Sequence, residues 1–330
     1  MPLFLLIAAL ASAQPEGRVE IEIRQNRFEG GPIRYSVPVS IEGRAPVDVM
    51  LDTGSTGLRL LPTAAPSGKG QRAQRYAYRN GVVLEGQVVR TRLAIGGFET
   101  EADVSATATV ACAPDRPGCP AAGLPPERFR IGGSGPTNGF EGILGAGLRA
   151  SDAENPLTHA RDQAWIVLLP RPGEAAPGRL ILNPSPEERA KFTLFSLQKD
   201  PRGRGHWADN AIPACLTSGA ARLCAPTLLD SGGPALNFVS RAPQTPSDWP
   251  AGAEAGLTFG PPDAPGPSQD FVIGRGAGAR LQFSMPPASL PWEGLNAGVL
   301  PFYDFAVLYD AKAGQVGLAP RKVFAPPAAP

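Results

Sequence analysis

Histidine is nearly missing from this chain, with two in 330 residues. Neither His159 nor His206 lies beside a cysteine pair, which counts against the zinc sites that combine Cys with His, and no metal or organic cofactor is expected. A serine-nucleophile mechanism would have to draw its general base from those two residues alone. Long runs of like charge are missing too: 31 Lys and Arg stand against 30 Asp and Glu, a formal charge of +1. Nothing in that balance argues for nucleic acid or an anionic membrane surface as a partner. After residue 13 no stretch holds the roughly 18 continuous apolar residues of a membrane span. Helical periodicity is scarce, so helices should be few and short.

Apolar residues make up 42% of the chain, enough for a sizeable core. Gly (39) and Pro (38) are abundant and punctuate short Val-, Ile- and Leu-rich runs, a mainly β pattern. Val19-Glu20-Ile21-Glu22-Ile23 alternates, Tyr35 to Ile41 alternates again, and Val47 to Leu51 runs into Asp52. Asn80-Gly81 is a strong turn signal at the tip of a hairpin over Tyr76 to Ile95. One helix is expected from Pro184 to Lys191, with Ser185 as its cap. Residues 113–139 and 241–269, rich in Pro and Gly, read as long surface loops, and the tail from 323 to 330 as disordered.

The apolar run Leu3 to Leu10 ends in Ala11-Ser12-Ala13, a signal-peptidase pattern, which predicts cleavage after Ala13 and export to a periplasm or to the medium. Four cysteines in two close pairs agree with export. They allow three connectivities, of which the local one, Cys112 with Cys119 and Cys215 with Cys224, is the expectation. The two halves echo one another in outline. Each has a strand ending in Asp, Thr or Ser, and Gly, followed later by an apolar segment with Gly: Phe140 to Gly145 in the first, Asn296 to Leu300 in the second.

Leu51-Asp52-Thr53-Gly54-Ser55-Thr56 and Leu229-Asp230-Ser231-Gly232-Gly233 each place an Asp at a turn after an apolar strand, followed by a small hydroxyl residue and Gly. Two carboxylates held close cannot both ionise, so one proton is shared. The pair can then activate water as a base and protonate a carbonyl or a leaving amine as an acid. The hydroxyls can anchor the turns, and Gly lets the two backbones approach.

The ordered set of motifs resembles the pepsin-like aspartic proteases over most of the chain. Val47 to Leu60 is similar to that family's first Asp motif, Tyr76 to Gly97 to its flap hairpin and Phe140 to Gly147 to its FDGILGLG segment. Gly178 to Pro184 resembles the strand that starts the crossing to the second lobe. Thr227 to Phe238 resembles the second Asp motif, and Gly298 to Pro320, ending in Val316-Gly317-Leu318-Ala319-Pro320, the closing stretch. Cys215 and Cys224 sit where the family often has a small disulfide loop.

The resemblance implies two β-barrel-like lobes, 14–169 and 170–322, with a cleft between them, and a monomeric endopeptidase acting on extended polypeptide. It implies Asp52 and Asp230 as the catalytic pair and Thr53 and Ser231 as the bracing hydroxyls. Gly54 and Gly232 complete the turns, Ser55 bonds the outer oxygen of Asp52, and Tyr78 with Gly81 forms the flap over substrate. Tyr76 is a rival for the flap tyrosine. Arg59 stands where the family often has Trp, and Asn296-Ala297-Gly298 is more polar than the family's Ile-Leu-Gly. With only residues 14–18 between the cleavage point and the first strand, no pepsin-type zymogen is expected. Two other readings compete: a catalytically dead, pepsin-shaped peptide-binding protein, and a serine protease using Ser231 of Asp230-Ser231-Gly232-Gly233-Pro234. Gly233 offers no hydroxyl where the first turn has Ser55, so the expectation is an ionised Asp52 and a protonated Asp230.

Overall fold

The computed structural model describes residues 17–29, 31–133, 138–242, 246–286 and 292–324. The expected leader with its cleavage point and the tail from Ala325 lie outside them. The chain is mainly β, with a 13-stranded and a 7-stranded sheet. Strands form where the pattern alternates: Val19–Arg27 buries Ile21 and Ile23 and turns Glu20 and Glu22 outward. Residues 19–23 of that strand pair with Gly178–Leu182, and 24–27 with the start of Ile33–Ile41. It thereby joins two parts of the larger sheet.

One part is a ring in which Ile33–Ile41, Val47–Asp52, Gly142–Ala146, Thr56–Leu60, Phe98–Cys112 and Val82–Ile95 follow one another. Val39 to Ile41 pair back with Leu93 to Ile95 and close it. The other part is antiparallel, in the order Thr193–Ser196, Gln315–Pro320, Phe305–Asp310, Ala164–Leu168, Gly178–Leu182. The larger sheet therefore takes strands from both sides of residues 169 and 170.

One arrangement occurs twice. Val47–Asp52 enters the first Asp turn and the chain returns as Thr56–Leu60; Gly142–Ala146 inserts between them, parallel to the former and antiparallel to the latter. In the smaller sheet Ala221–Leu228 precedes the second Asp turn and Ala235–Val239 returns, with Gly294–Asn296 inserted in the same two senses. Each returning strand then pairs in parallel with a further strand, Phe98–Cys112 or Gly278–Ser284.

One apolar core runs through both sheets, from Val37 and Leu58 in the ring through Trp165 and Leu180 to Leu216, Leu236 and Phe259. Trp165 and Tyr309 stack within it at 5.9 Å.

Several expectations need correction. Residues 113–139 are no mere surface excursion, because Cys119, Ala121, Phe129 and Ile131 are buried against Met50, Leu61 and Phe140 in a second core cluster. Within 241–269, Glu254–Phe259 forms a strand that buries Ala255, Leu257 and Phe259 and pairs on both sides. Gly and Pro flank that run and hid its alternation. The helix is shorter than read, Pro186–Arg189, though Ser185 caps it in a capping box with Glu188. Val323 and Phe324, read as the start of the disordered tail, belong to the 3-10 turn Arg321–Phe324, and the Phe324 ring is buried beside Phe192.

Both expected disulfides are present, Cys112–Cys119 and Cys215–Cys224. Among the described residues no helix is long and apolar enough to cross a membrane, and no His, Cys, Asp and Glu group could hold a metal ion.

Candidate active site

The two Asp turns meet at the ends of the buried strands that carry them. Thr53 N–H donates to Ser231 Oγ and Ser231 N–H to Thr53 Oγ1, both at 3.0 Å. Each hydroxyl in turn donates across to the other strand, Thr53 to Leu229 O and Ser231 to Leu51 O, both at 2.9 Å. Four reciprocal bonds thus satisfy buried donors that two isolated turns would leave unpaired. Glycine is required at the centre. A Cβ on Gly54 would sit 2.3 Å from Asp230 Cγ, and one on Gly232 would sit 2.6 Å from Asp52 Oδ1. Each α-carbon packs on the opposite carboxyl group.

Asp52 is 6% exposed. Gly54 N–H donates to its Oδ1 at 2.8 Å and Ser55 Oγ to its Oδ2 at 2.6 Å. On the other side, Asn296 Nδ2 donates to Asp230 Oδ2, also at 2.6 Å. The Asn296 orientation is fixed, because its Oδ1 accepts from Gly298 N–H at 2.9 Å and leaves the amide nitrogen facing the carboxylate. Asp230 Oδ1 is buried without a donor and lies on the side of Asp52. Burial first, then the charge of Asp230, pushes Asp52 up to about 7, while Ser55 and Gly54 N–H oppose the rise. The pair therefore holds one proton toward neutral pH.

Asn296 corrects the expected asymmetry. The second turn has no hydroxyl at Gly233, but the inserted strand Gly294–Asn296 supplies the missing donor. Each outer oxygen receives one side-chain hydrogen bond of the same length. Nor is there room for a side chain at Gly233, whose Cβ would lie 2.9 Å from Asp230 Oδ2.

Behind the first turn, Arg149 donates to Gly54 O at 2.6 Å and pairs with buried Asp209, which also accepts from Leu148 N–H. This brace was not legible, since its partners come from three separate segments.

The hairpin of Arg72–Ala77 and Val82–Ile95 has Tyr78 to Gly81 as its tip. Asn80 Oδ1 accepts from Val82 N–H, and Gly81 takes a left-handed φ of 91°. A Cβ there would lie 2.6 Å from Arg116 Cβ and 3.2 Å from Cys119 Cβ, so the tip rests on the loop closed by Cys112–Cys119. Arg59 is fully buried and packs on Tyr76. Its guanidinium is 3.5 Å above the Tyr76 ring, and Tyr76 meets Tyr78 edge-on at 4.8 Å. Thr56 O, Gly57 O and Ser151 Oγ accept its N–H groups. Tyr78 is raised by burial and lies within electrostatic reach of both Arg59 and Asp52.

The histidines are elsewhere. His159 contacts Thr100 and Glu154, and His206 lies in the turn with Asp200 and Gly203. The sequence matches no protein-family model, and none of the curated proteins is similar to it.

Proposed function

We propose that the protein is an exported aspartic endopeptidase of pepsin-like, two-lobed architecture. The observation that carries this reading is the pair Asp52 and Asp230, facing one another through Gly54 and Gly232, with one side-chain donor on each outer oxygen. A water held between the carboxyl groups is deprotonated by the ionised member as it attacks a peptide carbonyl. The protonated member gives its proton to the carbonyl oxygen, and collapse of the tetrahedral species passes a proton to the leaving amine. The repeated strand arrangement around the two turns, and the hairpin whose Tyr78 and Arg79 lie within electrostatic reach of the pair, support an extended polypeptide as substrate.

Ser231 is unsuited to be a nucleophile. Its hydroxyl is buried, is engaged with Thr53 and Leu51, and has no histidine beside it. The test is hydrolysis of denatured protein from acidic to neutral pH with pepstatin-type and serine-directed inhibitors in parallel. Inhibition by the pepstatin type alone is the expected result. Inhibition by the serine reagent alone refutes the reading, and no hydrolysis at any pH leaves a peptide-binding protein.

A further inference from the structure

Some arginines of this protein are paired with a carboxylate, as in Arg149 with Asp209 or Arg189 with Asp310. Arg34 and Arg79 are not: among the described residues neither forms an ion pair. Arg34, on Ile33–Ile41, donates from Nη1 to Gly232 O, the carbonyl of the second Asp turn, and from Nε to Gly132 O. Arg79, at the hairpin tip, reaches across to the smaller sheet and donates from Nη2 to Ser284 Oγ at 3.2 Å. Burial lowers both guanidinium groups, and for both the leading opposing influence is the charge of Asp230. Arg34 thus contacts the second Asp turn itself, and Arg79 reaches Ser284, which donates to Asn237, the strand partner of the Asn296 that holds Asp230 Oδ2; neither contacts the carboxylate.

A guanidinium has five N–H donors. Arg34 uses two on backbone carbonyls and Arg79 one on a hydroxyl, which leaves donors of both groups beside the dyad. Partly buried cations without a counter-ion carry a desolvation cost that an incoming anion relieves, and a guanidinium fork matches a carboxylate. We propose that Arg34 and Arg79 form a carboxylate-binding subsite beside the dyad, so that the polypeptides cleaved carry aspartate or glutamate next to the scissile bond. This inference rests on the peptidase reading. The same chemistry would also hold a chain-terminal carboxylate, and the test separates the two.

The bonds cleaved in a denatured protein are located by mass spectrometry, and peptides are built around one of them with Glu or Gln at the adjacent position, each with a free or an amidated C-terminus. The wild-type protein should prefer Glu by roughly 10- to 100-fold in kcat/KM, the effect of hydrogen bonds to a charged group, and amidation should leave the preference in place. Arg34→Gln and Arg79→Gln should each bring the Glu-to-Gln ratio toward one. Should R34Q fail to fold, R79Q at the hairpin tip carries the test alone. Equal cleavage of Glu and Gln peptides by the wild type overturns the proposal, as does a ratio unchanged in the folded variants or a preference that follows the free C-terminus. If the wild type cleaves no bond in the denatured protein, the peptidase reading falls, and calorimetric binding of peptides that differ only in Glu or Gln decides the subsite. Tighter binding of the Glu peptide then keeps it, and equal or absent binding overturns it.

Discussion

Asp52 and Asp230 each have one side-chain donor on the outer oxygen, Ser55 and Asn296, and that symmetry decides what each donor does. When the pair carries one charge, the charge can reside on whichever carboxylate keeps its donor. When both are ionised it has nowhere to move. Loss of either donor, by Ser55→Ala or Asn296→Leu, should therefore raise the upper limb of the activity profile by about 1–2 pH units and move the lower limb much less. Profiles of kcat/KM against pH check this, and a lower limb that moves more than the upper would refute the symmetry. Asp52→Asn and Asp230→Asn should each lower hydrolysis by roughly 100- to 10,000-fold with the fold intact by circular dichroism. At this scale the two turns were legible, because Asp, hydroxyl and Gly are local in sequence. Asn296 was not. Its side chain meets Asp230 across 66 residues through the inserted strand, and in the sequence it registers only as a polar residue among apolar ones.

The elements with alternating patterns were legible, and those with mixed composition were not. Glu254–Phe259 has two Gly-rich flanks and only six residues, too few to outweigh its surroundings. The loop after Cys112 buries Phe129 and Ile131 although Pro and Gly dominate it. The two disulfides differ in what they support. Cys215 and Cys224 are cross-strand partners in an existing antiparallel ladder. Cys112–Cys119 closes the loop on which the hairpin tip rests, where Ala113 N–H donates to Gly81 O. By chain entropy each short loop is worth about 2.5 kcal/mol. Replacing either pair by Ser should lower stability by up to that amount in urea titration. Loss of the 112–119 bridge should in addition raise KM, because Tyr78 and Arg79 at the tip, within electrostatic reach of Asp52 and Asp230, lose their support. An unchanged KM in a folded variant would show that the loop holds the hairpin without that bond.

At the scale of the whole molecule, one core and four reciprocal turn bonds tie the two sheets together, so they should unfold together. Far-ultraviolet dichroism and tryptophan fluorescence should give coincident transitions. The dyad then makes that stability depend on pH, with a sign opposite to that of most carboxylates. Asp52 is pushed up to about 7 from an ordinary 3.8, so the folded state binds its proton more tightly than the unfolded chain does. This contribution is fully present below about pH 4 and is lost as pH rises to 7, with a slope of at most about 1.4 kcal/mol per pH unit. Asp209, raised chiefly by burial, acts in the same sense. Asp200, held well below the ordinary range chiefly by Arg202, acts in the opposite sense, and its contribution disappears as pH falls below about 4. Stability should accordingly peak near pH 4 and decline toward neutrality, and Asp52→Asn should flatten that decline by removing the titrating group. Urea midpoints at pH 4, 5.5 and 7 for both proteins measure this. A wild-type midpoint that is constant or rises from pH 4 to 7 would mean that the buried pair does not hold its proton, and the acid–base roles assigned to it would fall with that result.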